Sequence, residues 1–230
     1  MSGNFIGMSR FKQFLLLFSL ITVSVLYSSA QKLNDYGFIP WTGPVVSANE
    51  INLRNAWAGG LNNVQSGKID FNNDGIKDLL LFDRHGDRLL PFIYNPSGFS
   101  PGFNYAPEYR HYFPALSHWF QVADYNNDGF PDLFTYTPGG IMVYRNKGES
   151  FPAFEKAVDP YITSLQGNIF TNLLVTNVDY PAIADLDGDG DLDILTFWGL
   201  GSFVEYHCNM SMELYGHTDS LVYHKLSNCW

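Results

Sequence analysis

The sequence predicts an all-β protein of short strands joined by tight turns, and three observations carry that prediction. Aromatic residues make up 17% of the chain, with 21 glycines and 12 prolines, a mixture that suits short strands and turns better than long helices. Eleven of the 23 acidic residues fall in three nine-residue windows that share one pattern. Each window is followed by an apolar run, a glycine-containing turn and a second apolar run, so the pattern belongs to a repeat and not to isolated turns. At 230 residues, with 46% hydrophobic and 16% charged positions, the chain can bury a real core and lies outside the composition of disordered segments.

Taken in order, residues 1–30 read as a secretory signal. Arg10 and Lys12 precede the apolar run Phe14 to Tyr27, and Ser28, Ser29 and Ala30 place small residues where a signal peptidase cuts. Cleavage is expected after Ala30, leaving Gln31 at the N-terminus. A transmembrane helix is the weaker reading: the 14-residue run would span about 21 Å, short of the roughly 30 Å hydrocarbon core. Without residues 1–30 the chain keeps 11 basic and 23 acidic groups, a net charge of −12. That balance opposes nucleic-acid binding. Residues 31–63 form an N-terminal strand region, followed by repeats over 64–117, 118–178 and 179–230.

The windows run from Asp70 to Asp78, Asp124 to Asp132 and Asp185 to Asp193, each fitting D-x-[DN]-x-D-G-x-x-D. Oxygen side chains at positions 1, 3, 5 and 9, a glycine at 6 for a sharp turn, and the carbonyl of position 7 can converge on one hard cation. The candidate ligands are Asp70, Asn72, Asp74, Ile76 (by its carbonyl) and Asp78 in the first loop. They are Asp124, Asn126, Asp128, Phe130 (carbonyl) and Asp132 in the second, and Asp185, Asp187, Asp189, Asp191 and Asp193 in the third. Calcium fits an all-oxygen set, whereas zinc prefers the His or Cys these windows lack. About three Ca2+ sites are expected, the third tightest because it carries the most carboxylates. An EF-hand is excluded, because its position 12 must be Glu and here is Leu81, Thr135 or Thr196. The flanks read as strands: Val64 to Ile69 enters the first loop and Leu79 to Phe82 leaves it, while Ile194 to Trp198 leaves the third. The second apolar runs end at Asn95, Asn146 and Asn209. Asn104 to Leu116 and Ile162 to Val178 are left to supply further strands.

This arrangement resembles the FG-GAP/VCBS repeat family, the calcium-loop blades of integrin-α-like β-propellers and secreted bacterial proteins. The resemblance rests on the D-x-[DN]-x-D-G-x-x-D-[LI]-[LF] core present three times, and on Trp57 to Asn62 with Phe82-Asp83-Arg84, and it covers most of residues 57 to 209. It implies four-stranded propeller blades, an incomplete propeller of about three, and a binding role on the face opposite the metal loops. The function expected is a secreted or cell-surface calcium-binding module for adhesion or ligand binding. Its partner would be an extracellular protein or glycan, with no nucleic acid and no transmembrane anchor in this chain.

Two alternatives stand beside it. A carbohydrate-binding lectin would use surface aromatics such as Trp41, Trp119 and Trp198, although propeller cores absorb aromatics as readily. A non-catalytic propeller part of a secreted hydrolase is the other. The chain itself is not expected to be an enzyme: the clustered carboxylates belong to the loops, and no His lies in a G-x-S-x-G or H-E-x-x-H setting. Cys208 and Cys229 either pair or stand as two buried thiols. Asn209-Met210-Ser211 is a weak glycosylation sequon. Three blades are too few to close a ring, so the chain is expected to be part of a longer protein and, alone, to self-associate.

Overall fold

The computed structural model describes residues 41–97 and 101–228. The export signal and Cys229, and with it the question of a disulfide, lie outside the described residues. The all-β expectation holds: the strands form several sheets, none of them closed. A two-stranded ribbon, β1 (Ser47–Ala48) and β2 (Ile51–Asn52), precedes the repeats.

The first blade is an antiparallel meander of β3 (Val64–Ile69), β4 (Asp78–Asp83), β5 (Arg88–Asn95) and β6 (Gly102–Tyr105). A 3-10 turn over Pro107–Tyr112 leads to the second blade, with β7 (Phe120–Ala123), β8 (Asp132–Thr137), β9 (Gly140–Asn146) and β10 (Phe154–Lys156). The third consists of β13 (Ala182–Ala184), β14 (Asp193–Phe197), β15 (Val204–Asn209) and β16 (Tyr223–Ser227), with a short helix α1 (Ser211–Tyr215) between the last two. The apolar runs predicted to flank the loops are therefore strands, and Asn95, Asn146 and Asn209 end β5, β9 and β15.

Two expectations about allocation change. Ile162 to Val178 contributes the hairpin β11 (Thr163–Gln166) and β12 (Ile169–Asn172), which joins the third sheet and not the second, because β11 pairs in parallel with β16. The chain after Asn209, which carries no metal loop, supplies the fourth strand of the third blade. The third sheet therefore has six strands in the order β12-β11-β16-β15-β14-β13.

Alternation along the middle strands decides how the blades stack. On β4, Leu80 and Phe82 point one way and are fully buried, with Phe120 and Leu133 of the second blade in the same core. On β8 the next residue, Phe134, points the other way, into a second core with Trp119, Ile141 and Val143, where the third blade contributes Ile194 and Tyr223. The middle blade is thus buried on both faces, each full-size apolar side chain contributing about 1.5–3 kcal/mol of burial. Trp119 is a core residue with no exposed surface, so it drops out as a candidate for sugar stacking. Gly67 marks the closest approach between the first two blades: a Cβ there would lie 2.4 Å from Val122 Cγ2. Among the described residues no helix is long and apolar enough to cross a membrane.

Candidate metal centre

Each acidic loop leaves an edge strand of its blade, β3, β7 or β13, and closes on the first residue of the next strand. That closing residue, Asp78, Asp132 or Asp193, is fully buried. One oxygen accepts the amide of loop position 2, from Phe71 at 2.9 Å, Tyr125 at 3.0 Å or Leu186 at 3.0 Å. The other accepts an amide from the neighbouring strand, from Tyr94 at 2.7 Å, Asn146 at 2.8 Å or Asn209 at 2.8 Å. The ninth residue thus staples the loop to the strand behind it.

The first carboxylate organises the loop from the other side. Asp70 accepts the amides of Asp74 and Gly75, Asp124 those of Asp128 and Gly129, and Asp185 those of Gly188 and Gly190, at 2.7–3.2 Å. Position 5 accepts the amide of position 7: Asp74 from Ile76, Asp128 from Phe130 and Asp189 from Asp191. Asn72, Asn126 and Asp187 at position 3 accept the amide of position 5. The glycines at position 6 have φ of 83°, 89° and 101°, as the turn requires. Position 4 is left-handed too, at Asn73, Asn127 and Gly188. Asn and Gly tolerate that conformation, a regularity that the motif, with position 4 left open, did not specify.

The donors fit a hard cation. They are oxygens throughout, and an ionised carboxylate oxygen bonded to one amide keeps a lone pair for a metal. In the third loop Asp185, Asp187 and Asp189 offer ligand atoms within 4.8 Å of one another, and Asp189 Oδ2 is a buried oxygen with no hydrogen-bond partner. Calcium bound there would satisfy that oxygen and offset part of the loop's negative charge.

Electrostatics separate the three loops. Burial pushes the Asp132 carboxyl up to about 7, against the lowering effect of its two amide bonds, and Asp128 and Asp124 push it further. Burial raises Asp78 and Asp193 as well, and lifts Asp191 to about 6. The second loop already has a counter-charge, since Arg145 Nη2 lies 3.4 Å from Asp128 Oδ2 while its Nη1 reaches Asp219. Among the described residues no ion pair reaches the carboxylates of the first or third loop. The third loop instead draws neutral donors. The Cys208 thiol, pushed up to about 12 chiefly by burial, lies 3.4 Å from Asp187 Oδ2, and the Tyr206 hydroxyl donates to Asp193 at 3.2 Å.

Most sequence-predicted ligands therefore come together in three like-built loops. Asp191 differs: it is fully buried and its Oδ2 accepts the Met212 amide of α1, so its side chain leaves the loop and faces the helix. Ile76 and Phe130 have partly exposed side chains and belong to the loop through their backbone. Sequence reasoning missed the position-2 amides, although Phe71 and Tyr125 are aromatic at the same place. It also missed Arg145, which directly precedes the Asn146 that binds Asp132. Asn209 of the sequon is fully buried, its side-chain amide bonded to the Ser220 carbonyl, so the folded chain leaves no room for a glycan on it.

A buried trio on the third sheet has the residue types of a hydrolase triad. Ser164 Oγ lies 2.8 Å from His207 Nδ1, and His207 Nε2 lies 3.6 Å from Glu205, which also pairs with Lys225. Ser164 and His207 have no exposed surface, and burial lowers His207 to about 4, keeping it neutral. No substrate reaches such a serine. The trio fastens the β11–β12 hairpin to β15 across β16.

At the strand ends opposite the metal loops, a cleft of about 500 Å³ is lined by Asn62, Asn63, Arg84, His85, His118 and Val178. Asp83 holds three of these residues in place by accepting the amides of Asn63, His85 and Asn62, which hold its carboxyl below the usual range. Arg84 donates to the carbonyl of His118 at 2.6 Å and to those of Asn177 and Val178 at 3.3 Å, so it touches the approaches to both later blades.

A family model described as an FG-GAP-like repeat matches residues 70–135 and again 124–196. Each match starts at the first Asp of one loop and ends at the Thr three residues past the last Asp of the next. No curated protein matches, and no solved structure does. The two matches together span more than half of the sequence, and the chain belongs to the FG-GAP-like repeat family.

Proposed function

We propose that this chain is an extracellular, calcium-loaded blade module that binds a protein or glycan ligand and performs no catalysis itself. The observation that carries the reading is the threefold recurrence of one scaffold. Three loops offer oxygen-only donors, each stapled by a buried ninth Asp, and each carries carboxylate charge that a divalent cation would offset. Calcium titration calorimetry with melting in calcium and in chelator tests it: calcium heat and a lower melting temperature in chelator are expected, and two flat responses would remove the metal from the proposal.

Ligand binding is assigned to the cleft around Arg84, His85 and His118. These basic and amide groups stand out on a chain whose exported form carries a net −12, and they favour a partner presenting a carboxylate. Export is part of the proposal, and terminal mass analysis of secreted material should find Gln31 first. A glycan ligand is the second reading, favoured by the partly exposed Trp198 stacked on Phe203 at 5.3 Å. Glycan-array binding lost in Trp198→Ala but kept in Arg84→Ala would select it. Absence of turnover in hydrolysis assays is expected for either ligand.

A further inference from the structure

Asp191 is spent on nothing in its own loop. The residue has no exposed surface; Oδ2 accepts the Met212 amide at 3.0 Å, while Oδ1 is buried with no hydrogen-bond partner at all. A buried carboxylate oxygen without a partner is costly, and native structures supply one. The two acidic side chains grouped with it supply no donor to Oδ1. They are Asp189, whose own Oδ2 is buried and unpartnered, and Glu213, exposed on α1, and the three residues offer ligand atoms within 4.8 Å of one another. No basic side chain forms an ion pair with any of the three among the described residues.

We propose that Asp189, Asp191 and Glu213 form a second cation site on the third blade, separate from the loop site of Asp185, Asp187 and Asp189, which takes a calcium-class divalent ion and ties helix α1 to the metal loop. With calcium–oxygen distances of about 2.3–2.6 Å, opposed ligands lie about 5 Å apart, so three oxygens within 4.8 Å fit around one ion. A hard cation is chosen because every donor is a carboxylate; neither thiol nor imidazole belongs to the trio. Asp189 serves both sites: Oδ1 holds the Asp191 amide within the loop, and the unpartnered Oδ2 is free to bridge. The bound ion also has a structural task. Helix α1 is only five residues long, too short to be stable on its own, and it lies in the connection that leads β15 to β16. Coordination by Glu213 from the helix and Asp191 from the loop would fix that connection.

The test compares the full chain with Asp185→Asn, which touches only the loop site, and Glu213→Gln, which changes an exposed side chain outside every loop. Equilibrium dialysis against calcium counts ions, and hydrogen exchange of the amides of residues 211–216 reports on α1. Glu213→Gln should bind one ion fewer than wild type, with the remaining affinities within about twofold, and should lose calcium-dependent protection of α1 by about tenfold or more. Asp185→Asn should lose a different ion and keep most of the protection of α1, and the double variant should lose both. Wild-type stoichiometry and protection in Glu213→Gln would overturn the proposal, as would a double variant that loses no more than either single one. If the loops themselves take no calcium while a Glu213-dependent ion remains, the loop reading fails and this site stands.

Discussion

Arg145 pairs with a carboxylate of the second loop, a contact that no basic side chain makes with the first or third loop among the described residues, and it competes for the Asp128 oxygen a metal would use. An exposed pair of this kind is worth up to about 1 kcal/mol, so Arg145→Gln should tighten calcium at the second loop by as much as about fivefold and leave the first unchanged. Site-resolved titration checks it. The ordering expected of the three loops is then third, first, second. Buried Asp132 and Asp191 give a second residue-scale prediction. Their carboxyls sit at about 7 and about 6 in the fold, above the ordinary 3.8, so the metal-free native state holds protons that the unfolded chain releases. That contribution is present at low pH and is lost as pH rises through 6 to 7. Calcium favours the ionised form, so the gap in melting temperature between calcium-loaded and chelated protein should widen from pH 5 to pH 7.5. Buried His207 shifts in the opposite sense but equally in both samples, so it cancels from the gap. A gap independent of pH would count against these two carboxyls.

Whole elements were legible wherever one local pattern dictated them. The nine-residue windows fixed both loop and register, because an Asp that must accept two amides and a Gly that must take positive φ leave little choice, and the strands on either side follow by alternation. The β11–β12 hairpin was not legible in this way. Its place on the third sheet depends on pairing with β16, about 60 residues later, and on the Ser164–His207 bond, and neither leaves a mark in a local window. Asp191 misled for a similar reason: α1 comes from beyond β15 and draws the side chain away from the loop. Gly67 shows how a single position can report a blade-to-blade contact. Gly67→Ala would push a methyl group onto Val122 and should cost about 1–3 kcal/mol in denaturant melts, with Val122→Ala recovering part of the loss. Additive losses in the double variant would mean that the two strands do not press on each other there.

At the scale of the whole molecule, burial is uneven. The middle blade is covered on both faces, whereas the outward side of the third presents Phe197 exposed, with Leu195, Val204 and Tyr206 only half-buried. The described apolar surface favours association, so light scattering in millimolar calcium should show a mass rising with concentration, and Phe197→Glu should lower it. A concentration-independent monomer would refute that expectation. Arg84 acts over a long range in the sequence. Its guanidinium at the end of β4 grips carbonyls 93 and 94 residues further along, just before β13, reaching past the entire second blade. A contact that closes so long a segment has no counterpart in local pairing and meets a high entropic barrier if made early. It should therefore form after the folding transition state, once the second blade is seated. Removing it would speed unfolding and leave the folding rate nearly untouched, so Arg84 governs how long the native molecule survives between openings more than how fast it is made.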